Sequence, residues 1–158
     1  MSKLINKIKN INDNKKYIIA LVLISILQFF VITRFGYIYG SQIDWVNQHT
    51  LFPNYFRNLF FETGNLFPNF ASHLGSGQNI FYLAYYGLYN PIIMFSYLLP
   101  FVPMNFYIIV TSFLTVIISI ILFYYFLKQN NFSNKLSFFI SLLFLFSSSF
   151  VFHSHRHI

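Results

Sequence analysis

Long apolar runs alternate with polar segments along this chain. The runs cover residues 17–33, 106–127 and 136–152, and none of them contains a charged side chain. A helix needs about 17–25 apolar residues to cross a bilayer core. The runs lack the period-two alternation of barrel strands, and backbone groups in lipid must bond to one another. The pattern therefore predicts an all-α polytopic membrane protein with three transmembrane helices.

The composition supports a membrane protein over a soluble one. Of the 158 residues, 56% are hydrophobic and 8% are charged, whereas soluble surfaces carry roughly 25–35% charged residues. The chain has no cysteine, which excludes disulfides and thiolate metal sites. No nucleic-acid-binding module is visible in the sequence, so the net charge of +7 indicates contact with anionic lipid headgroups.

The positions of the lysines predict the orientation of the chain. Residues 1–16 form a basic N-terminus, and the turn 128–135 also carries lysine. Because lysine and arginine accumulate in short cytoplasmic loops, both segments are expected inside the cell. The loop 34–105 and the terminal residues 153–158 then lie outside. The long basic lead and the lack of a small-x-small cleavage site favour an uncleaved anchor over a signal peptide for the first run.

The outer loop contains two segments expected to form juxtamembrane helices, at about 41–62 and about 80–101. The second is apolar, but Gly87, Pro91 and Pro100 interrupt it and tyrosines are frequent in it. Tyrosine rings favour the headgroup level of a membrane. A surface or re-entrant helix is therefore favoured, and a fourth span is the alternative.

The first loop segment presents Asp44, one of three acidic residues in the chain. Ser41 and Asp44 have the spacing of a capping box, which predicts a helix start. Pro53 is expected to kink the helix near His49 or to divide it into two. Two interpretations of Asp44 remain open: a helix cap, or a functional carboxylate close to membrane depth.

The order of these segments resembles the start of a GT-C membrane glycosyltransferase, and more specifically the YfhO family of bacterial membrane proteins. The resemblance covers the chain from about residue 36 to the end. It rests on these motifs: Asp44-Trp45, Gln48-His49, Tyr55-Phe56-Arg57, Thr63-Gly64-Asn65-Leu66, Gly75-Ser76-Gly77-Gln78-Asn79 and Tyr85-Tyr86-Gly87-Leu88-Tyr89-Asn90-Pro91.

The resemblance implies transfer of a sugar from a polyprenyl-phosphate donor to a cell-envelope polymer, such as lipoteichoic or teichoic acid, outside the bacterial cytoplasmic membrane. Asp44 matches the first-loop aspartate of GT-C enzymes, where it would act as general base or help to hold a divalent metal. The donor phosphate requires cations or amide donors. The residues expected to bind substrate are Gln48, His49, Arg57, Gln78, Asn79, His153, His155 and Arg156.

Each candidate also has an ordinary structural interpretation. Arg57 could form an exposed ion pair with Glu62, and His73 could be a wetted interfacial ring. The alternating histidines after residue 152 could form a headgroup-facing cluster, because their spacing scatters them around a helix. Gly75 and Gly77 predict a turn, since the strand and lysine of a nucleotide-binding loop are missing.

GT-C enzymes have many more helices than these, so the chain resembles an N-terminal part of such a bundle and is expected to be inactive alone. A transporter or flippase subunit is an alternative, although these runs offer mainly Gln28 as an intramembrane polar group. A noncatalytic membrane scaffold is the other alternative.

Overall fold

The computed structural model describes residues 2–33 and 44–151, with side chains from residue 14 onward. The described chain is mostly helical. It divides into two compact units: unit 1 comprises residues 2–33 and 113–151, and unit 2 comprises residues 44–112. The α-helices in chain order are α1 (Ser2–Thr33), α2 (Leu51–Thr63), α3 (Pro91–Phe95), α4 (Met104–Gln129) and α5 (Asn134–Leu145).

Shorter elements lie between these helices. A π-helical turn covers Trp45–His49, and 3₁₀ helices cover Ile80–Tyr86 and Ser96–Leu98. Strands β1 (Phe70–Ala71) and β2 (Gln78–Asn79) pair antiparallel, with Phe70 opposite Asn79 and Ala71 opposite Gln78. This small sheet was not expected from the sequence.

Two helices of the described chain are long and apolar enough to cross a membrane: Asn14–Thr33 within α1, and α4. The helix in the third apolar run is shorter, because α5 has 12 residues and ends at Leu145. A turn follows, and residues 148–151 are helical again. The Ser147 hydroxyl donates to the Phe144 carbonyl and accepts from the Phe150 amide. Such side-chain bonds compete with the helical ladder, which explains the break inside the run predicted as one helix over 136–152.

The core of unit 1 lies between α1, α4 and α5 and is formed by Leu21, Ile120, Tyr124 and Leu145. Gln28 crosses from α1 to α5, where its side-chain amide donates to the Leu145 carbonyl at 3.0 Å. Large apolar side chains instead occupy the outer surface of α1. The exposed ones are Ile19, Leu23, Leu27, Phe30 and Val31.

The core of unit 2 joins α2 to the small sheet and to the 3₁₀ helix that follows it. Its buried side chains are Phe56, Leu59, Ala71, Ile80, Leu83 and Leu88. The turn before β2 requires Gly77, because its φ is +96° and an added Cβ would lie 2.6 Å from the Phe70 ring. The glycine turn expected from the sequence therefore supports the sheet through this close approach.

The apolar segment 80–103 contains no continuous long helix. Its longest element, Ile80–Tyr86, has seven residues, far fewer than the roughly 20 needed to cross a bilayer. The side chains of Asn79 and Asn90 cap the two helices that follow them by accepting from the amides of Phe81 and Ile92. Residues 80–103 therefore contain no helix long enough to form a fourth span.

Candidate functional site

Asp44 lies at the start of the π-helical turn and is half-buried. Its backbone is already helical, with φ −78° and ψ −42°, and its carboxylate makes no capping hydrogen bond. A side-chain N-cap normally has extended backbone angles that let the side chain fold back onto the next amides. The geometry therefore differs from the capping role considered for Asp44, and Ser41 lies outside the described residues.

The π-helical turn ends before α2 begins, with Thr50 between them. This break falls three residues before Pro53. In a continuous α-helix the Pro53 ring would clash with the carbonyl four residues earlier. The turn places Trp45 and His49 in the protein interior. It also sets the angle at which the chain enters α2.

A cavity of about 520 Å³ lies in unit 2 beside the start of α2. One wall is formed by Trp45, Val46, Thr50 and Leu51, together with two polar side chains of α2, Asn54 and Arg57. The other wall is formed by residues 103–105 and Ile109. Asp44 precedes the first lining residue by one position but does not itself line the cavity. The cavity has the size typical of small-ligand sites, about 300–1,000 Å³.

Arg57 is the cation of this cavity and is only 5% exposed. Its Nη1 donates to the carbonyl oxygens of Val102 at 2.8 Å and Leu99 at 3.4 Å. Its Nη2 donates to Oδ1 of Asn54 at 3.1 Å. A guanidinium has five N–H donors, so two of them have no protein acceptor among the described residues.

Burial in unit 2 lowers the pKa of Arg57, and the neighbouring Tyr97 phenol partly offsets this effect. The partners of the guanidinium are neutral oxygens. Within the described ranges Arg57 forms no ion pair, so the alternative interpretation of an exposed pair with Glu62 does not apply there. A buried cation without an anion is costly, so this position favours an anionic ligand.

His49 was expected in the substrate site and is 5% exposed. Its ring lies 6.1 Å from those of Trp45 and Tyr86. It also lines a separate small cavity of about 140 Å³ together with Gly87, Asn90 and neighbouring residues. His49 and Arg57 therefore face different cavities.

The other expected substrate residues are spread over unit 2. Gln48 and Gln78 are half-buried. His73, for which a wetted interfacial ring was the ordinary interpretation, is exposed. Asn79 is exposed, and its side-chain oxygen is engaged with the Phe81 amide as a cap. His153, His155 and Arg156 lie outside the described residues.

A metal site was one expectation for Asp44. The described residues contain no group of three or more His, Cys, Asp or Glu side chains that could hold a metal ion.

Several residues at this cavity were not predicted from the sequence. Asn54 precedes Arg57 by three positions, and this helical spacing could have identified the pair. The carbonyls of Leu99 and Val102 had no such signal, because main-chain acceptors do not depend on side-chain identity. Asn105 lines the opposite wall only because the chain returns there.

No protein-family model, curated protein or solved structure matches this chain.

Proposed function

We propose that this chain forms part of a membrane glycosyltransferase of the GT-C type. The enzyme transfers a sugar from a polyprenyl-phosphate donor to a cell-envelope polymer of the lipoteichoic or teichoic acid type. The observation that carries the proposal is Arg57, a buried cation that lines a cavity and retains two N–H donors within the described chain. A lipid-linked phosphate supplies the missing anion.

The distribution of apolar side chains supports a membrane location. In α1 the outward positions carry large apolar residues, while Ser25 and the Gln28 amide face other helices. The outer surfaces of α4 and α5 are also apolar, with Leu122 63% and Leu143 73% exposed. Lipid solvates such surfaces and water does not. Three crossings, with α5 and the following turn as the third, would place unit 2 outside the bacterial cytoplasmic membrane.

The cavity offers the mixed lining that a lipid-phosphate sugar requires. Val46, Leu51 and Ile109 are apolar, whereas Asn54 and Arg57 provide polar groups. Arginine binds phosphate well because its planar fork of donors matches the phosphate oxygens. Its fixed bonds to Val102 and Asn54 orient it before the ligand arrives, which lowers the cost of ordering it on binding.

In the proposed reaction, Asp44 accepts the proton of the acceptor hydroxyl. The hydroxyl oxygen forms a bond to the anomeric carbon of the sugar, and the bond from that carbon to the phosphate oxygen breaks. The bonding electron pair leaves with the lipid phosphate, whose negative charge Arg57 stabilises. Asp44 then releases its proton to water, so the step balances without an oxidant or a reductant.

Asp44→Asn in the chromosomal copy tests this assignment, because the amide has nearly the same shape but cannot accept the proton. We expect loss of the glycosyl substituent from the envelope polymer at unchanged abundance of the protein in membranes. A matched control is Asn47→Asp, three positions away on the exposed side of the turn, which should leave glycosylation intact. Normal glycosylation in the Asp44→Asn strain would reject the role of Asp44.

A transporter or flippase subunit is the second candidate, and one observation favours it. The helix in the third apolar run breaks after Leu145, and Gln28 binds the carbonyl at the break. Interrupted helices with polar partners are typical of transport sites. Gln28→Leu should leave envelope glycosylation unchanged if the enzyme assignment is correct and should abolish it if this break forms a transport site.

A further inference from the structure

A second concave site lies in unit 1, at the end where α4 turns into α5. This open cavity of about 510 Å³ is lined by Tyr17, Lys128 and residues 131–135. All of these residues belong to unit 1. The proposed glycosyltransferase site does not use them.

The lining of this cavity is strongly basic. Lys128 and Lys135 are both part of it, and Lys15 and Lys16 immediately precede Tyr17. The chain has only three acidic residues, and Asp44 and Glu62 belong to unit 2. Asp13 is therefore the single carboxylate in the sequence of unit 1, and the lysines near the cavity outnumber it.

The side chains are arranged to leave donors available. Among the residues with described side chains, Lys128 Nζ makes one hydrogen bond, donating to the Phe132 carbonyl at 2.7 Å. An ammonium has three donors, so two remain. The Tyr17 ring packs against the Phe138 ring at an angle of 39°, with 5.1 Å between the ring centroids. The Tyr17 hydroxyl has no protein partner in the described part of the chain.

The position of the cavity at the end of α4 indicates which anion it can bind. Helix α4 is long enough to cross a bilayer, and Lys128 lies in its last turn. The end of a spanning helix lies at the level of the lipid phosphates, and basic pockets between helices on the cytoplasmic side bind anionic headgroups. A headgroup also remains tethered at this depth, unlike a soluble phosphate ion.

We propose that this cavity is a binding site for the phosphate headgroup of an anionic phospholipid. Lys128 and Lys135 contact the phosphate, and the Tyr17 hydroxyl donates to a headgroup oxygen. Occupation of the site would join the first and last helices of unit 1 at this end. The inference stands whether or not the Arg57 cavity binds a lipid-phosphate sugar.

The test is native mass spectrometry of the whole chain in a neutral detergent. Phosphatidylglycerol or phosphatidylcholine is added at the same concentration, and bound lipid is counted. We expect the wild type to retain phosphatidylglycerol in preference to phosphatidylcholine. The double variant Lys128→Gln/Lys135→Gln should bind phosphatidylglycerol at least about tenfold more weakly, because each lysine near an anionic surface contributes about 1 kcal/mol.

The matched control is Lys3→Gln/Lys7→Gln, which removes the same charge. Lys7 lies ten residues before Tyr17 on α1, about 15 Å along the helix axis at 1.5 Å per residue. The control should retain phosphatidylglycerol like the wild type. Lys135→Gln alone serves where loss of the Lys128 bond impairs folding, and it should weaken binding in the same direction.

Three results would overturn the proposal. They are equal retention of the two lipids by the wild type, equal retention of phosphatidylglycerol by the two double variants, and displacement of phosphatidylglycerol by millimolar inorganic phosphate. The last result would identify a free phosphate site instead of a lipid site.

Discussion

Arg57 donates a hydrogen bond to the carbonyl oxygen of Val102 across 2.8 Å. The contact joins α2 to the turn that precedes α4, 45 residues further along the chain. The same guanidinium lines the 520 Å³ cavity. Arg57 therefore both holds unit 2 together and presents a cation to the proposed ligand.

Replacement of Arg57 by methionine separates these roles. Arg57→Met keeps much of the side-chain volume but leaves the carbonyl of Val102 without its charged donor. We expect the free energy of unfolding to fall by about 1–3 kcal/mol, measured by denaturant titration in detergent. The exposed neighbour Asn58 supplies the control, since Asn58→Ala should change stability by less than about 0.5 kcal/mol. Equal stability of the two variants would contradict the bracing role.

Gln28→Leu tests the polar contact inside unit 1. The substitution removes the bond to the Leu145 carbonyl at the end of α5. Interhelical hydrogen bonds in membrane proteins contribute about 0.6 kcal/mol on average and about 1.7 at most, so a loss in this range is expected. Unfolding in detergent measures it, with Leu27→Val on the exposed face as control. No loss would show that Leu145 finds another donor.

Asn79 has two competing roles that substitution can distinguish. As a cap, its oxygen accepts from the Phe81 amide, so Asn79→Ala should cost about 0.5–2 kcal/mol of stability. Asn79→Ser should restore most of this loss, because serine is also a good N-cap. Gln78→Ala, the adjacent position in β2, is the control. Lost glycosylation in a stable Asn79→Ser variant would instead indicate sugar binding.

The alkaline stability of the protein should depend on Tyr97. Burial raises the pKa of Tyr97, and the nearby Arg57 guanidinium lowers it to a lesser extent. Above about pH 10 the phenol ionises in the unfolded chain while it stays protonated in the folded protein. Protons then bind more strongly to the folded state, so stability falls as pH rises through this window. Tyr97→Phe should flatten this decrease in pH-dependent unfolding, and an unchanged slope would contradict the prediction.

The orientation of the chain can be measured directly because it has no cysteine. Tyr82 is 80% exposed in unit 2, and Gln129 is exposed at the end of α4. A membrane-impermeant maleimide added to intact cells should label Tyr82→Cys and should label Gln129→Cys only after permeabilisation. The reverse pattern would place the proposed active loop inside the cell.

Much of the helical architecture could be predicted from the hydrophobic pattern, because a long apolar run without period-two alternation favours a helix. The two helices of spanning length lie in runs recognised from the sequence. The end of α5 could not be predicted in this way, since the local bonds of Ser147 decide it inside an otherwise apolar run.

The candidate site was less predictable. Arg57 was recognised as a candidate for phosphate, but its geometry depends on the carbonyls of Leu99 and Val102. These acceptors are present at every residue, and only the return of the chain after α3 selects them. Asn79 illustrates the opposite case, because its cap is local and its type and position indicate it.

The most direct measurement is the affinity of the purified protein for a polyprenyl-phosphate hexose relative to the same polyprenol without phosphate. We expect the wild type to bind the phosphorylated lipid at least about tenfold more tightly, as charge-assisted bonds to a buried guanidinium contribute about 1.5–3 kcal/mol. Arg57→Gln should abolish this preference while Asn58→Ala keeps it. Equal affinity of the wild type for both lipids, or an unchanged preference in Arg57→Gln, would contradict the proposed site.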